Sequence, residues 1–157
     1  MVALAAFIRR KTRERAAGIS GQLPGHEVQL ESDYVAVVLQ AEGQQQRHAV
    51  HVSEFVGSRG LALVKVAGRE YRIECQSRLN DIRLTGLCNG QPFTAQAERG
   101  TAKNPLALRI NHNGTQIDAL VLSPRAAELH QLMPYKAPPD TSKQLLSPMP
   151  GLLVQVA

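Results

Sequence analysis

The chain has 157 residues, enough for one domain of ordinary size with its own core, and its 43% apolar and 20% charged residues are normal for a soluble globular protein. Aromatic residues make up 4% and Trp is missing, which argues against a base-stacking surface or an aromatic-lined ligand pocket. The net charge of +5 comes largely from one run, Arg9-Arg10-Lys11-Thr12-Arg13-Glu14-Arg15, and suits an acidic partner surface as well as it suits nucleic acid.

Residues 2–17 read as a helix. Ala is abundant, Gly and Pro are missing, and Leu4, Phe7, Ile8 and Lys11 share one helical face. The first half is apolar almost all round (Val2 to Ile8), so it needs burial on several sides. The basic residues follow the apolar stretch, the wrong order for a secretory signal, and no segment is long and apolar enough to span a bilayer. Gly18 is placed to stop the helix, just past a basic last turn that complements the helix dipole.

Residues 18–32 form a connector, because Gly21, Pro24 and Gly25 rule out regular structure there. Such a loop leaves main-chain groups free for a partner backbone, although an ordinary surface loop has the same composition.

From residue 33 to 122 the apolar period changes to two. Eight strands are expected, at 33–41, 46–53, 60–67, 70–77, 81–88, 91–99, 105–111 and 115–122. Val35, Val37 and Leu39 share a face in the first, and Tyr71, Ile73 and Cys75 in the fourth. Ile82 and Leu84 are aligned in the fifth, and Leu106, Leu108 and Ile110 in the seventh, where Pro105 would open the strand. Asn89-Gly90 and Asn113-Gly114 are strong two-residue hairpin signals, while Glu42-Gly43 and Ala67-Gly68 are weaker ones.

Eight short meandering strands behind one apolar helix predict a mainly β fold: an eight-stranded antiparallel barrel closed around the N-terminal helix, with Leu4, Phe7 and Ile8 in the lumen. Small Ala3, Ala5 and Ala6 let the helix thread a narrow interior. This filled-lumen reading predicts no cavity around Leu4 and Phe7. A lipocalin-like carrier of a small apolar ligand, the second alternative, predicts an open lumen.

Residues 123–133 read as a short helix with Ser123 as N-cap and Pro124 at the first position, ended by Pro134. Residues 137–146 are Pro-rich and polar, as expected of a linker. The final stretch, 147–157, carries Pro148-Met149-Pro150-Gly151 ahead of an alternating apolar strand.

That last motif resembles the opening of a biotinyl carrier domain. The resemblance implies a later hairpin with a biotin-holding lysine, which this sequence does not contain, so the segment reads as a truncated start of such a domain. Together with Ile19-Ser20-Gly21-Gln22-Leu23 after the first helix and Pro138-Pro139-Asp140-Thr141-Ser142-Lys143 in the linker, it makes the chain similar to one segment of the biotin-carrying alpha subunits of acyl-CoA carboxylases, with propionyl-CoA carboxylase the best match. In that family the segment is the BT domain, here residues 1–136, which mediates between the biotin carboxylase and carboxyltransferase parts.

The resemblance implies a long helix wrapped by an eight-stranded barrel. It also implies a hook on the carboxyltransferase beta subunit, which maps to Gly18 to Ser32, with Ile19, Ser20, Gly21, Gln22, Leu23, Pro24 and Gly25 as its interface residues. The implied role is non-catalytic assembly within a large alpha-beta hetero-oligomer, with covalent biotin and ATP/Mg belonging to the parent ligase and no cofactor to this segment. The implied location is the bacterial cytoplasm, or the mitochondrial matrix in a eukaryote.

The residues themselves offer no competing chemistry. His48 and His51 are three apart and fall on opposite faces of a strand, so they cannot share a metal. Cys75 and Cys88 read as reduced, packed thiols of a cytosolic protein. Gly57-Ser58-Arg59-Gly60 lacks the spacing and lysine of a phosphate loop, and no nucleophile elbow occurs. Catalytic residues, a metal site and membrane contact are therefore not expected. A small basic barrel that binds RNA is the first alternative to an assembly domain.

Overall fold

The computed structural model of the chain describes residues 1–40, 44–101 and 104–133. Helix α1 spans Val2–Ala17. Eight strands follow: β1 Asp33–Leu39, β2 Gln45–Val56, β3 Leu61–Val66, β4 Arg69–Glu74, β5 Arg83–Cys88, β6 Gln91–Arg99, β7 Leu108–His112 and β8 Thr115–Leu122. Helix α2, Pro124–Leu132, comes last. The linker 137–146, Pro134, the hairpin pair Glu42-Gly43 and the Pro148, Met149, Pro150, Gly151 motif lie outside the described residues.

The strands pair antiparallel in sequence order, and β8 returns to β1 from Val35↔Leu122 to Leu39↔Asp118, closing the expected barrel. Three hairpins turn on left-handed pairs: Ala67-Gly68, Asn89-Gly90 and Asn113-Gly114 all have positive φ at both positions. This is the conformation that matches the strand twist in two-residue turns. These hairpins gather at one end of the barrel. The longer connections at 18–32, 57–60, 75–82 and 100–107 gather at the other.

Strand alternation sends one set of residues inward, among them Tyr34, Ala36 and Val38 of β1, Ala62 and Val64 of β3, Ala95 of β6 and Ala119 of β8, and they meet α1 in one core. Eight strands leave a narrow interior and a helix is about 10 Å across, so small residues on both make room for it: Ala3, Ala5 and Ala6 on the helix and Ala36, Ala62, Ala95 and Ala119 on the strands. Ala3 to Ile8 are all buried, which is why that stretch can be apolar on every side. The face of β1 that carries Val35, Val37 and Leu39 points outward instead. There it forms a second small core with Ala107, Leu120 and Leu122.

Four local expectations need correction. First, β2 continues past residue 53 to Val56 through a bulge between Ser53 and Val56, with Glu54 at φ +48°. The extra residue re-aims the strand and brings Phe55 onto the core. Second, β4 ends at Glu74 rather than 77: the Cys75 amide makes one last in-register bond to Gly60 O at 2.7 Å, and beyond it the opposing segment turns away through Gly57–Arg59. Third, β5 starts at Arg83, and Ile82 is exposed rather than aligned with buried Leu84.

Fourth, Pro105 does not open a strand. Around it Thr101 N donates to Asn104 O (2.9 Å), Leu106 N to Asn104 Oδ1 (2.9 Å) and Gly100 N to Ala107 O (2.8 Å). Strand β7 therefore begins at Leu108, and Leu106 is exposed. The short helix forms as capped: Ser123 Oγ accepts from Ala126 N at 3.3 Å.

Candidate functional site

Two surfaces stand out at opposite ends of the barrel. The first is the connector between α1 and β1. It runs off the helix at Gly18, turns at Leu23–His26, where His26 N donates to Leu23 O at 2.9 Å, and comes back along the helix. Pro24 and Gly25 (φ +81°) occupy the central positions of that turn, and Pro followed by a left-handed Gly is the signature of type II.

Gln22 organises the loop. Its amide Nε2 donates to Ala17 O (2.8 Å), Ile19 O (3.1 Å) and Ala16 O (3.3 Å), and its Oε1 accepts from Val28 N at 2.7 Å. One side chain thus satisfies carbonyls left orphaned at the helix end and pins the returning strand.

The loop's main chain is less free than its Gly and Pro content suggested. Gly25 N donates to Glu27 Oε1 at 3.1 Å and Val28 N to Gln22, so these groups are satisfied inside the chain. Hydrogen bonds donated by the Glu27 and Gly25 amides hold the Glu27 carboxyl below the ordinary glutamate range. What the loop offers a partner is apolar: Ile19 is 61% exposed, Leu23 66% and Leu30 45%. Ser20, Gly21, Pro24 and Gly25 are exposed beside them. Leu30 falls outside the stretch 19–25 that the sequence picked out, because its approach to the loop depends on the fold-back.

The basic run serves this fold-back. Arg13 donates to Gln29 O (3.0 Å) and Arg10 to Glu31 O (2.8 Å), so the returning strand is stitched to successive turns of α1. Lys11 Nζ donates to Ser77 O at 2.7 Å, and Arg99 reaches Leu79 O at 3.0 Å. The Arg10 guanidinium also lies over the Phe55 ring at 5.5 Å, a cation–π contact. Arg9 does not take part. Burial, with the like charge of Arg13, pushes its guanidinium below its ordinary value, and its Nε finds no hydrogen-bond partner among the described residues.

Beneath the hook the lumen is full. Phe7 and Phe55 stack tilted with centroids 5.8 Å apart, and a void of only about 20 Å³ remains beside Phe7 and Ile8. Leu4, Phe7 and Ile8 are all buried in the barrel core.

The second surface is at the hairpin end and departs from the filled-lumen expectation. A cavity of about 530 Å³ opens there, lined by Met1 to Leu4 on one side and by Tyr71, Ile73, Cys88, Phe93 and Ala95 on the other, with His48, Arg69 and His112 also on its lining. The expectation of no cavity holds around Phe7 and fails around Leu4. The reason is position: α1 packs chiefly against β3, β1, β2, β8 and β4. It leans to one wall and leaves the β5–β7 side of its first turn uncovered.

Other groups carry no chemistry of their own. His51 faces outward and its Nδ1 lies 2.7 Å from Asp33 Oδ1 in an exposed cross-strand pair, while His48 faces the cavity. Cys75 and Cys88 are free thiols. Among the described residues no group of three or more His, Cys, Asp or Glu is placed to hold a metal ion, and no helix is long and apolar enough to cross a membrane.

Comparison with known proteins gives one consistent answer. The family model described as the propionyl-coenzyme A carboxylase BT domain matches residues 1–136. The propionyl-CoA carboxylase alpha chain of Ruegeria pomeroyi is 30% identical over 156 residues, covering 99% of this chain and 21% of that relative. Mitochondrial propionyl-CoA carboxylase alpha chains of Caenorhabditis elegans (30% over 109 residues) and Caenorhabditis briggsae (31% over 124) cover 69% and 78% of this chain. The chain spans about a fifth or less of the length of these curated relatives.

Proposed function

The chain belongs to the propionyl-coenzyme A carboxylase BT domain family, and from that premise we propose that it is a non-catalytic assembly domain of a biotin-dependent acyl-CoA carboxylase. The hook, Gly18 to Ser32, docks on the carboxyltransferase beta subunit, and the barrel sits beside the biotin carboxylase domain of its own alpha subunit. The observation that carries this reading is the hook itself. It exposes Ile19, Leu23 and Leu30 on a loop held in one shape by Gln22 and by the basic face of α1. A preformed loop loses little entropy on docking, so its apolar contacts translate into affinity.

Biotin, ATP and magnesium belong, in this reading, to other parts of a large alpha-beta hetero-oligomer, bacterial cytoplasmic or mitochondrial. Among the described residues no group of three or more His, Cys, Asp or Glu is placed to hold a metal ion, and no carboxylation step is assigned to them. The domain's contribution is geometric. It fixes the spacing of two active sites, and the linker 137–146 sets the reach and effective concentration of the carrier that shuttles between them.

RNA binding is less well supported, because Arg10, Lys11 and Arg13 direct their side chains to main-chain carbonyls of the protein. The test is capture of the purified chain by a propionyl-CoA carboxylase beta chain, alongside a gel shift with RNA over a salt series. Capture is expected without a shift. Leu23→Asp should reduce capture at least tenfold while leaving the unfolding midpoint unchanged. Capture that is indifferent to Leu23→Asp would remove the hook from the interface.

A further inference from the structure

The open end of the lumen has the makings of a binding site. A volume of about 530 Å³ is within the range of small-molecule pockets, which are mostly apolar with a few placed polar groups. The walls here are apolar, from Val2 and Leu4 on the helix to Ile73, Phe93 and Ala95 on the strands. Its side chains that carry or can take up positive charge are Arg69, His48 and His112, and no carboxylate is among its lining residues. The Arg69 guanidinium and the Tyr71 hydroxyl make no hydrogen bond to any described residue, whereas His112 is fixed by Nδ1 at 2.9 Å from Thr94 O. One free guanidinium beside a greasy cleft matches a single carboxylate carried on a hydrocarbon chain.

We propose that this cavity binds an aliphatic monocarboxylate, its chain lying against the first turn of α1 and its carboxylate on Arg69. The charge complementarity selects this occupant over a neutral lipid, and the dimensions of the cavity select a small molecule over a second protein.

Cys88 lines the cavity while Cys75 is buried in the core, so the chain carries its own reporter. Alkylation of Cys88 by N-ethylmaleimide is followed by mass spectrometry, with dodecanoate or 1-dodecanol added below their micelle or solubility limits. Dodecanoate should slow Cys88 modification at least fivefold and raise the unfolding midpoint, and 1-dodecanol should do so far less.

Arg69→Gln should weaken the protection by dodecanoate about tenfold, the worth of one charge-assisted hydrogen bond. Val2→Trp should abolish it by filling the space. The wild-type titration stands by itself if that variant misfolds. Unchanged Cys88 labelling at saturating dodecanoate would overturn the proposal, and so would equal protection by the alcohol. Protection seen in this chain but lost in a full-length alpha chain of the family would also overturn it, by assigning the space to polypeptide.

Discussion

At the hook end of the barrel, Phe7, Phe55 and Ile8 fill the lumen, and cationic side chains reach across it to the carbonyls of residues 29, 31, 77 and 79. At the hairpin end, three two-residue turns close the strands tightly, yet the lumen inside them is open for about 530 Å³. Short turns therefore do not make a packed end. Packing follows the helix, and α1 supplies large side chains to one mouth and Met1 to Ala3 to the other. The connections at 18–32 and 75–82 are the better-fastened ones, because both lend carbonyls to the basic half of α1.

The comparison breaks first on the helix. Phe7→Asp places a charge in the filled end and should exceed the stability of the domain, leaving no cooperative unfolding transition in calorimetry. The milder pair sharpens it: Phe7→Ala should cost about 3–5 kcal/mol in urea unfolding and Leu4→Ala only about 2, because space already adjoins Leu4. Equal losses would mean that the cavity is not open in solution.

Next come two glycines with the same backbone sign. At Gly60 (φ +63°) a Cβ would collide with the Cys75 carbonyl oxygen, whereas at Gly68 (φ +83°) nothing lies within 4 Å. Gly60→Ala at the hook end should cost about 3 kcal/mol or more, and Gly68→Ala about 1, the left-handed strain alone. Smaller still is Gln22→Ala, which should cost about 1–2 kcal/mol of local hook stability. The readout is faster amide exchange at Val28 with little change at Ile110.

Finally, the folded Glu27 carboxyl lies below its unfolded value. Its contribution is therefore complete above the ordinary glutamate range and is lost as pH falls through the lower folded value. The Gly25 amide shift should follow that acid titration, and Glu27→Gln should remove it.

Much of the barrel was legible, because period-two alternation is a local signal and Asn-Gly demands its own turn. The helix inside it was legible from Val2 to Ile8 because nothing but full enclosure suits a stretch apolar on every face. The missed pieces share a cause. Cys75 to Ser77, Asp81 and Pro105 look like strand, but the segment facing Cys75 turns away at Gly57–Arg59, and local hydrogen bonds between Arg78 and Asp81 and among Thr101, Asn104 and Leu106 replace the ladder. The bulge that delivers Phe55 turns on a left-handed Glu54 that no propensity favours.

At the hook, Gly21, Pro24 and Gly25 announced a loop, but the roles of Gln22 and Leu30 depend on a fold-back across sequence. The cavity was illegible because it depends on where α1 sits within the ring, and alternation carries no information about that.

The closed ring also constrains the order of folding. Residues 2–8 leave the ribosome well ahead of β8, but their enclosure is complete only when β8 pairs with β1 across Val35↔Leu122. At typical synthesis rates of about 5–20 residues per second, roughly five to twenty seconds separate the two events. For that interval a fully greasy helix has no barrel to enter, and the contact that ends its exposure is among the most distant in sequence. A nascent chain stalled before Thr115 should therefore bind a holdase chaperone through its first turn, and release should coincide with emergence of the eighth strand.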